Sequence, residues 1–352
     1  MDNYIDELIK DIDSTHHKLG DLIALCAICV KAHKFVLLVS PSGCGKSTAM
    51  DYVSKYTPDS WMPTQLSIAS LVNKTDKLTS FRSVIGIDDI ATIQTDYARR
   101  STITTLSALC YSHRVEPSMV GFDFCIEDFY GSALVGIQPS IIKDMMIAPE
   151  WEASIKDKSL RYYHLYRPLM PSIGIPVVKL KYGNIDIEDV NFEPDAKNKL
   201  WMELYQLGLL QWSRARSKQH MTDLVKSVAT FDNRKDVVDS DIKLLIRLLR
   251  PMAIETMSIN KNQLEGDRIF DNNLVSLLAE YYTYGGEFSL AHIAQDFSLR
   301  IAQTYRIMQH QNGNWQQISK SPTIYRPSKH LMEELKELGL EIKKEKGSKK
   351  NE

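Results

Sequence analysis

At 352 residues the chain is too long for one ordinary core, and at roughly 100 to 200 residues per domain it divides into two or three. Hydrophobic residues make up 43% and charged residues 25%, the composition of a soluble globular protein, and the net charge of -1 excludes a globally basic nucleic-acid coat while leaving a local basic face open. No long uncharged apolar run occurs, and the opening Met1-Asp2-Asn3-Tyr4 is acidic rather than basic, so neither a membrane partner nor a signal peptide is expected and the cytoplasm is the expected compartment.

Ile5, Leu8, Ile9 and Ile12 recur at helical spacing, and a second helix is expected from about Gly20 to Ala32. Within it, Cys26-x-x-Cys29 could be half a metal site. No second pair or histidine cluster completes it, and the spacing fits two small thiols on one packed face.

The apolar run Phe35 to Val39 then delivers the chain to Ser40-Pro41-Ser42-Gly43-Cys44-Gly45-Lys46-Ser47-Thr48, followed by a helix expected over Thr48 to Tyr56. A buried strand, a glycine-containing turn and a helix N-terminus in that order form a phosphate loop, in which backbone N–H groups and the positive helix end attract a polyphosphate. Ser42, Gly43, Cys44, Gly45, Lys46, Ser47 and Thr48 are the candidate nucleotide-binding residues: Lys46 would reach the β- and γ-phosphates and the Ser47 hydroxyl would ligate Mg²⁺. The pattern departs from G-x-x-x-x-G-K-[ST] at its first position, where Ser40 replaces glycine. Oxidation of Cys44 is expected to block the site.

Ser67 to Leu71 reads as a short strand running into a helix. Ser83 to Ile87 is an apolar strand ending in Asp88-Asp89, and carboxylates at the C-terminal end of a parallel strand stand where open α/β sheets bind ligands. Asp88 would serve the Mg²⁺ shell and Asp89 would polarise the attacking water. A helix is expected over Thr102 to Ser112 and a hairpin over Arg114 to Ile126, with Glu116-Pro117-Ser118 at its turn. Ala133 to Ile137 is another buried strand, and the amide of Gln138 at its tip could touch the γ-phosphate or its water, or simply cap the strand.

Three helices are expected over Ala196 to Leu209, Ser217 to Thr230 and Val238 to Leu249, then a polar linker over Ser258 to Asp267. Asn273 to Tyr282 is amphipathic, Ser289 caps a short helix, and Ile301, Tyr305 and Met308 are expected to line the buried face of a third. Two strand-like pieces, Trp315 to Ile318 and Thr323 to Arg326, follow as a wing.

The order of phosphate loop, carboxylate strand, polar-tipped strand and Lys158-Ser159-Leu160-Arg161-Tyr162-Tyr163 resembles the AAA+ ATPases over about Ala32 to Arg250, and Asn273 to Ser328 resembles a winged-helix domain. The resemblance implies an α/β phosphate-loop NTPase core over 34–185 after N-terminal helices 1–33, a helical lid over 186–257, a winged helix over 268–340 and a basic disordered tail over 341–352. It implies that Gln138 is the sensor that is usually Asn, that Arg161 is an arginine finger just before a strand over Tyr162 to Tyr166, and that Arg216, with Arg214 as the alternative, reaches back to the nucleotide from the lid. The family usually has Glu where this chain has Asp89, one methylene shorter, a departure that bears against fast hydrolysis. Arg300, Gln303 and Arg306 on the recognition helix and Lys320 in the wing would contact DNA phosphates and base edges.

The expected activity is therefore ATP hydrolysis with Mg²⁺ by a protein acting on DNA in replication, a helicase or translocase of a cellular, viral or mobile element, self-associated into a ring of which a hexamer is one form. Replication or element-encoded proteins would be its partners, and minichromosome-maintenance helicases, initiators and loaders are the nearest branches. The alternative is an ATP-controlled switch, an initiator, loader or scaffold that hydrolyses slowly and whose winged helix binds DNA or a partner protein. A plain phosphotransferase leaves the lid and winged helix unexplained, and an ABC-type ATPase would need a Leu-Ser-Gly-Gly-Gln signature, which the sequence lacks.

Overall fold

Four short strands form one parallel sheet, in a computed structural model that describes residues 3–116, 124–169, 174–259 and 270–342. β1 (Phe35–Val39), β2 (Val84–Ile87), β3 (Ser132–Ile137) and β4 (Ser159–Tyr163) stand in the order β2-β3-β1-β4. Every residue in these strands is buried, as expected of a parallel sheet covered on both faces. β1 is central, pairing Val39 with Ile137 of β3 on one side and with Tyr163 of β4 on the other. Trp61 adds a single parallel bridge outside β2.

The helices divide between the two faces. Before β1 come α1 (Tyr4–Asp13), whose Ile5, Leu8, Ile9 and Ile12 are buried, and α2 (Gly20–Lys31), apolar on nearly every side. α3 (Lys46–Tyr56) follows the 40–45 turn; α4 (Ile68–Val72) and α5 (Thr75–Leu78) precede β2. The expected strand at Ser67 to Leu71 is a helix instead. Ser67 is its N-cap, with reciprocal bonds between Ser67 and Ser70, so local side-chain bonding decides the backbone. α6 (Asp96–Ser112) leads to β3, joined by the antiparallel bridge Val115 to Ile126 where the hairpin was expected; its tip, 117–123, lies outside the described residues. α7 (Pro139–Met146) follows β3.

α8 (Lys199–Leu209), α9 (Arg214–Phe231) and α10 (Asp239–Leu249) are the three helices expected of a lid, yet they form no separate body. Leu204, Leu224, Val228 and Leu245 share one core with α1, α2, α3 and the sheet side chains Val36, Leu38, Leu134 and Tyr162. The Ser227 hydroxyl donates to the Ile28 carbonyl inside that core at 2.8 Å. α11 (Ile254–Ser258) closes the segment; the greater part of the expected linker, 260–267, lies outside the described residues.

Met1–His164 and Pro168–Asn272 make one compact unit; Leu165–Arg167 and Asn273–Glu352 make a second. In the second, α12 (Asn272–Thr283), β5 (Phe288–Ser289), α13 (Leu290–Asp296), α14 (Ile301–His310), β6 (Trp315–Lys320), β7 (Thr323–Pro327) and α15 (Lys329–Glu337) follow in order, with an antiparallel sheet β5-β7-β6. The three-residue strap is tied in by Arg167, which pairs with Glu280 at 2.9 Å and Asp296 at 2.7 Å. Burial first, then the neighbouring Asp296 carboxyl, pushes Glu280 up to about 8. The tail 343–352 lies outside the described residues.

Candidate functional site

β1 ends at Val39 and α3 begins at Lys46, so the six residues between them turn the chain sharply at the C-terminal edge of the sheet. Three backbone positions here need glycine. Gly43 and Gly45 have φ of 80° and 81°, and Gly45 is the N-cap of α3, where a Cβ would also stand 2.8 Å from Leu19 Cδ1. Cys44 between them is buried, so its thiol is packed rather than presented. Ser42 and Ser47 are exposed and Thr48 is half-buried.

Lys46 is only 7% exposed and its ammonium is bound back into the loop, donating to Ser40 O at 2.8 Å, Ser40 Oγ at 2.9 Å and Pro41 O at 3.1 Å. Burial lowers its pKa, while Cys44, Asp89 and Asp88 act in the opposite direction, which places both acids within electrostatic reach of it. The third position is Gly136 in β3. A Cβ there would fall 1.9 Å from the Asp88 carbonyl oxygen and 3.4 Å from Lys46 Cε, so the bare glycine lets the end of β2 and the lysine stem approach.

Asp89 and Gln138, assigned from two different strands, meet. Gln138 Nε2 donates to Asp89 Oδ2 at 3.0 Å, and the other carboxylate oxygen accepts from the Ala91 N–H at 2.9 Å. Both side chains are half-buried, and each holds the other in orientation at the strand tips. Asp88 is exposed, and its charge helps raise the Asp51 carboxyl, after burial. Asp51 lies one helical turn beyond Ser47 on α3. The Ser47 hydroxyl and the Asp88 and Asp51 carboxylates are oxygen donors, and among the described residues no cluster of three or more His, Cys, Asp or Glu side chains is placed to hold a metal ion.

Two assigned arginines are not part of this arrangement, and both are corrections. Arg161 does not precede its strand, which is Ser159–Tyr163 rather than Tyr162 to Tyr166; it is the middle residue and fully buried. Its guanidinium grips Glu255 bidentately at 2.8 and 2.9 Å, donates to Ser159 O and Gln211 O, and lies over the Trp151 ring. Gln211 in turn pairs with the Arg161 main chain at 2.9 and 2.7 Å, acting as one more strand residue along the edge of the sheet. A side chain so enclosed cannot project to a neighbour's phosphate.

Arg216 is at the wrong edge. It stacks on Tyr111 at 4.2 Å and donates to Gln219 at 2.8 Å, and Tyr111 and Gln219 line a cavity with Phe35, the first residue of β1. The 40–45 turn starts from the other end of that strand, about 13 Å away at 3.3 Å per residue. Its alternative, Arg214, is exposed on the first turn of the same helix. Cys26 and Cys29 are both fully buried in α2, and burial pushes the Cys29 thiol up to about 12.

In the second unit Arg300, Gln303, Arg306 and Lys320 are all exposed. Gln303 Oε1 also accepts the Arg300 N–H at 2.9 Å, capping α14. The buried face of α14 differs from the expected one: Thr304 and Met308 are inside, whereas Ile301 is 49% and Tyr305 41% exposed. No helix among the described residues is long and apolar enough to cross a membrane. No protein-family model matches the chain, and no curated protein matches it.

Proposed function

We propose that the chain is an AAA+-type phosphate-loop protein that binds and hydrolyses ATP with Mg²⁺ and acts on DNA through a C-terminal winged helix. The observation that carries this reading is the convergence of Lys46, Asp88, Asp89 and Gln138 at the ends of three adjacent parallel strands. Ligands bind at such strand ends in open α/β sheets. In this reading Lys46 binds the β- and γ-phosphates, Asp89 accepts a hydrogen bond from the attacking water, and Gln138 keeps the carboxylate turned toward it. Ser47 and Asp88 would hold Mg²⁺, which when bound neutralises phosphate charge.

Of the two modes expected, the slow switch is favoured over the helicase. The specific observation is that Arg161 and Arg216, the cations assigned to the transferring phosphoryl group, are engaged elsewhere. Arginine fingers account for roughly 10³ to 10⁵ in rate in related systems, so a site without one turns over slowly. The ring loses Arg161 as its support for the same reason. The second unit's helix order and antiparallel β5-β7-β6 sheet support the winged-helix reading, and exposed Arg300, Arg306 and Lys320 support DNA as its ligand.

Nucleotide binding and steady-state hydrolysis by Lys46→Ala and Asp89→Asn proteins test the site. Lys46→Ala is expected to lose binding; Asp89→Asn is expected to bind ATP normally and lose turnover, because an amide keeps the shape but not the charge. Undiminished hydrolysis by Asp89→Asn would reject the assignment.

A further inference from the structure

The residue at which the loop departs from the usual pattern touches the residue on which nucleotide binding depends. Ser40 is fully buried, and its N–H donates to Ile137 O at 3.1 Å, fixing it against β3. Its hydroxyl oxygen is 2.9 Å from Lys46 Nζ. An ammonium group has three N–H donors and no acceptor. Ser40 O, Pro41 O and Ser40 Oγ are acceptors enough for all three. The two carbonyls belong to the main chain and would be presented whatever residues stood at 40 and 41. The hydroxyl is there only because position 40 is serine rather than glycine.

We propose that Ser40 sets the nucleotide affinity of this loop: its hydroxyl occupies the one Lys46 donor that a β- or γ-phosphate oxygen must take, and nucleotide binding requires that bond to be exchanged. The inference rests on the phosphate-loop reading and deepens it. The exchange remains favourable, since a charged phosphate oxygen is a stronger acceptor for an ammonium than a neutral hydroxyl. It nevertheless lowers the net gain relative to a loop in which that donor has no protein acceptor. A compensating loss of rate is not expected, because the hydroxyl acts on ground-state binding and Asp89 and Gln138 lie on the strands beyond it. The ligands concerned are nucleoside di- and triphosphates, whose β-phosphate is the first that Lys46 would reach.

The test is calorimetric titration of the full-length protein with ADP and with a non-hydrolysable ATP analogue, Mg²⁺ present, for wild type, Ser40→Ala, Ser40→Gly and Lys46→Ala. Steady-state ATPase kinetics on the first three accompany it. Ser40→Ala and Ser40→Gly are expected to bind both nucleotides more tightly, by up to roughly tenfold, the scale of one hydrogen bond to a charged group. KM should fall with kcat unchanged. Damage to the fold would weaken binding, so a gain is not a packing effect. Equal or weaker binding by both Ser40 variants, with wild type still binding and Lys46→Ala not, would overturn this inference and leave the nucleotide site standing. No binding by wild type would reject the site itself, and the role of Ser40 with it.

Discussion

Replacing Arg161 by alanine is expected to destabilise the first compact unit well before it alters any encounter between subunits. The guanidinium is fully buried, and its partner Glu255 is 5% exposed. The pair is bidentate at 2.8 and 2.9 Å, and the Tyr163 hydroxyl donates to the same carboxylate at 3.2 Å. Alanine removes the cation and leaves a buried carboxylate facing Tyr163 and Gln211, and it takes a donor from Lys156 O, Ser159 O and Gln211 O, of which Ser159 O keeps the Trp212 indole N–H. Removing one member of a buried ion pair typically costs about 3–5 kcal/mol. Against a total domain stability of about 5–15 kcal/mol, that is a large fraction. The assay is urea denaturation of purified protein, read as a shift in midpoint at unchanged slope. Arg161→Met combined with Glu255→Leu should recover much of the loss, since apolar residues of similar volume often replace a buried pair without penalty. The reasoning would be refuted by an Arg161→Ala protein of wild-type stability that binds ATP, hydrolyses it poorly, and regains turnover when mixed with Lys46→Ala protein. That outcome would mean that Arg161 leaves Glu255 and acts on a neighbouring subunit.

Gly136→Ala places a methyl group 1.9 Å from the Asp88 carbonyl oxygen, so the end of β2 must move. The expected cost is about 1–3 kcal/mol of stability with weakened ATP binding, and an unchanged melting temperature and affinity would show that the close approach is not needed. Arg300→Ala combined with Arg306→Ala should weaken duplex DNA binding at low salt. Its log–log salt slope should fall by roughly two phosphate contacts' worth, and an identical salt series for wild type and variant would assign α14 to protein docking instead.

The sequence displayed most clearly those features whose determinants are contiguous. The turn with its two positive-φ glycines and the acids after β2 lie within short runs, and the strand Phe35 to Val39 occupies the expected residues. Burial of a charged side chain, by contrast, depends on a partner that sequence spacing does not reveal. The resemblance put Arg161 just before a strand; inside a buried strand an arginine is costly, and it becomes tolerable only through Glu255, 94 residues away. Arg216 follows the same logic. An arginine at a helix N-terminus opposes the dipole and so invited a ligand, but the compensation is the face of Tyr111 on another helix.

On α14 the apolar pattern was ambiguous by one position. Ile301, Tyr305 and Met308 share helical spacing, and so do Thr304, Met308 and Gln311; the second set is the one buried. Thr304 can go inside because its hydroxyl donates to Arg300 O at 3.3 Å within the same helix, which offsets the cost of burying it. The resulting outward face joins Ile301 and Tyr305 to Arg306 and Gln303, so a ligand there meets apolar and aromatic surface beside the cations. Phosphate contacts alone would not use that surface. In the DNA-binding reading proposed above, thymine methyl groups and base edges in a major groove would meet it.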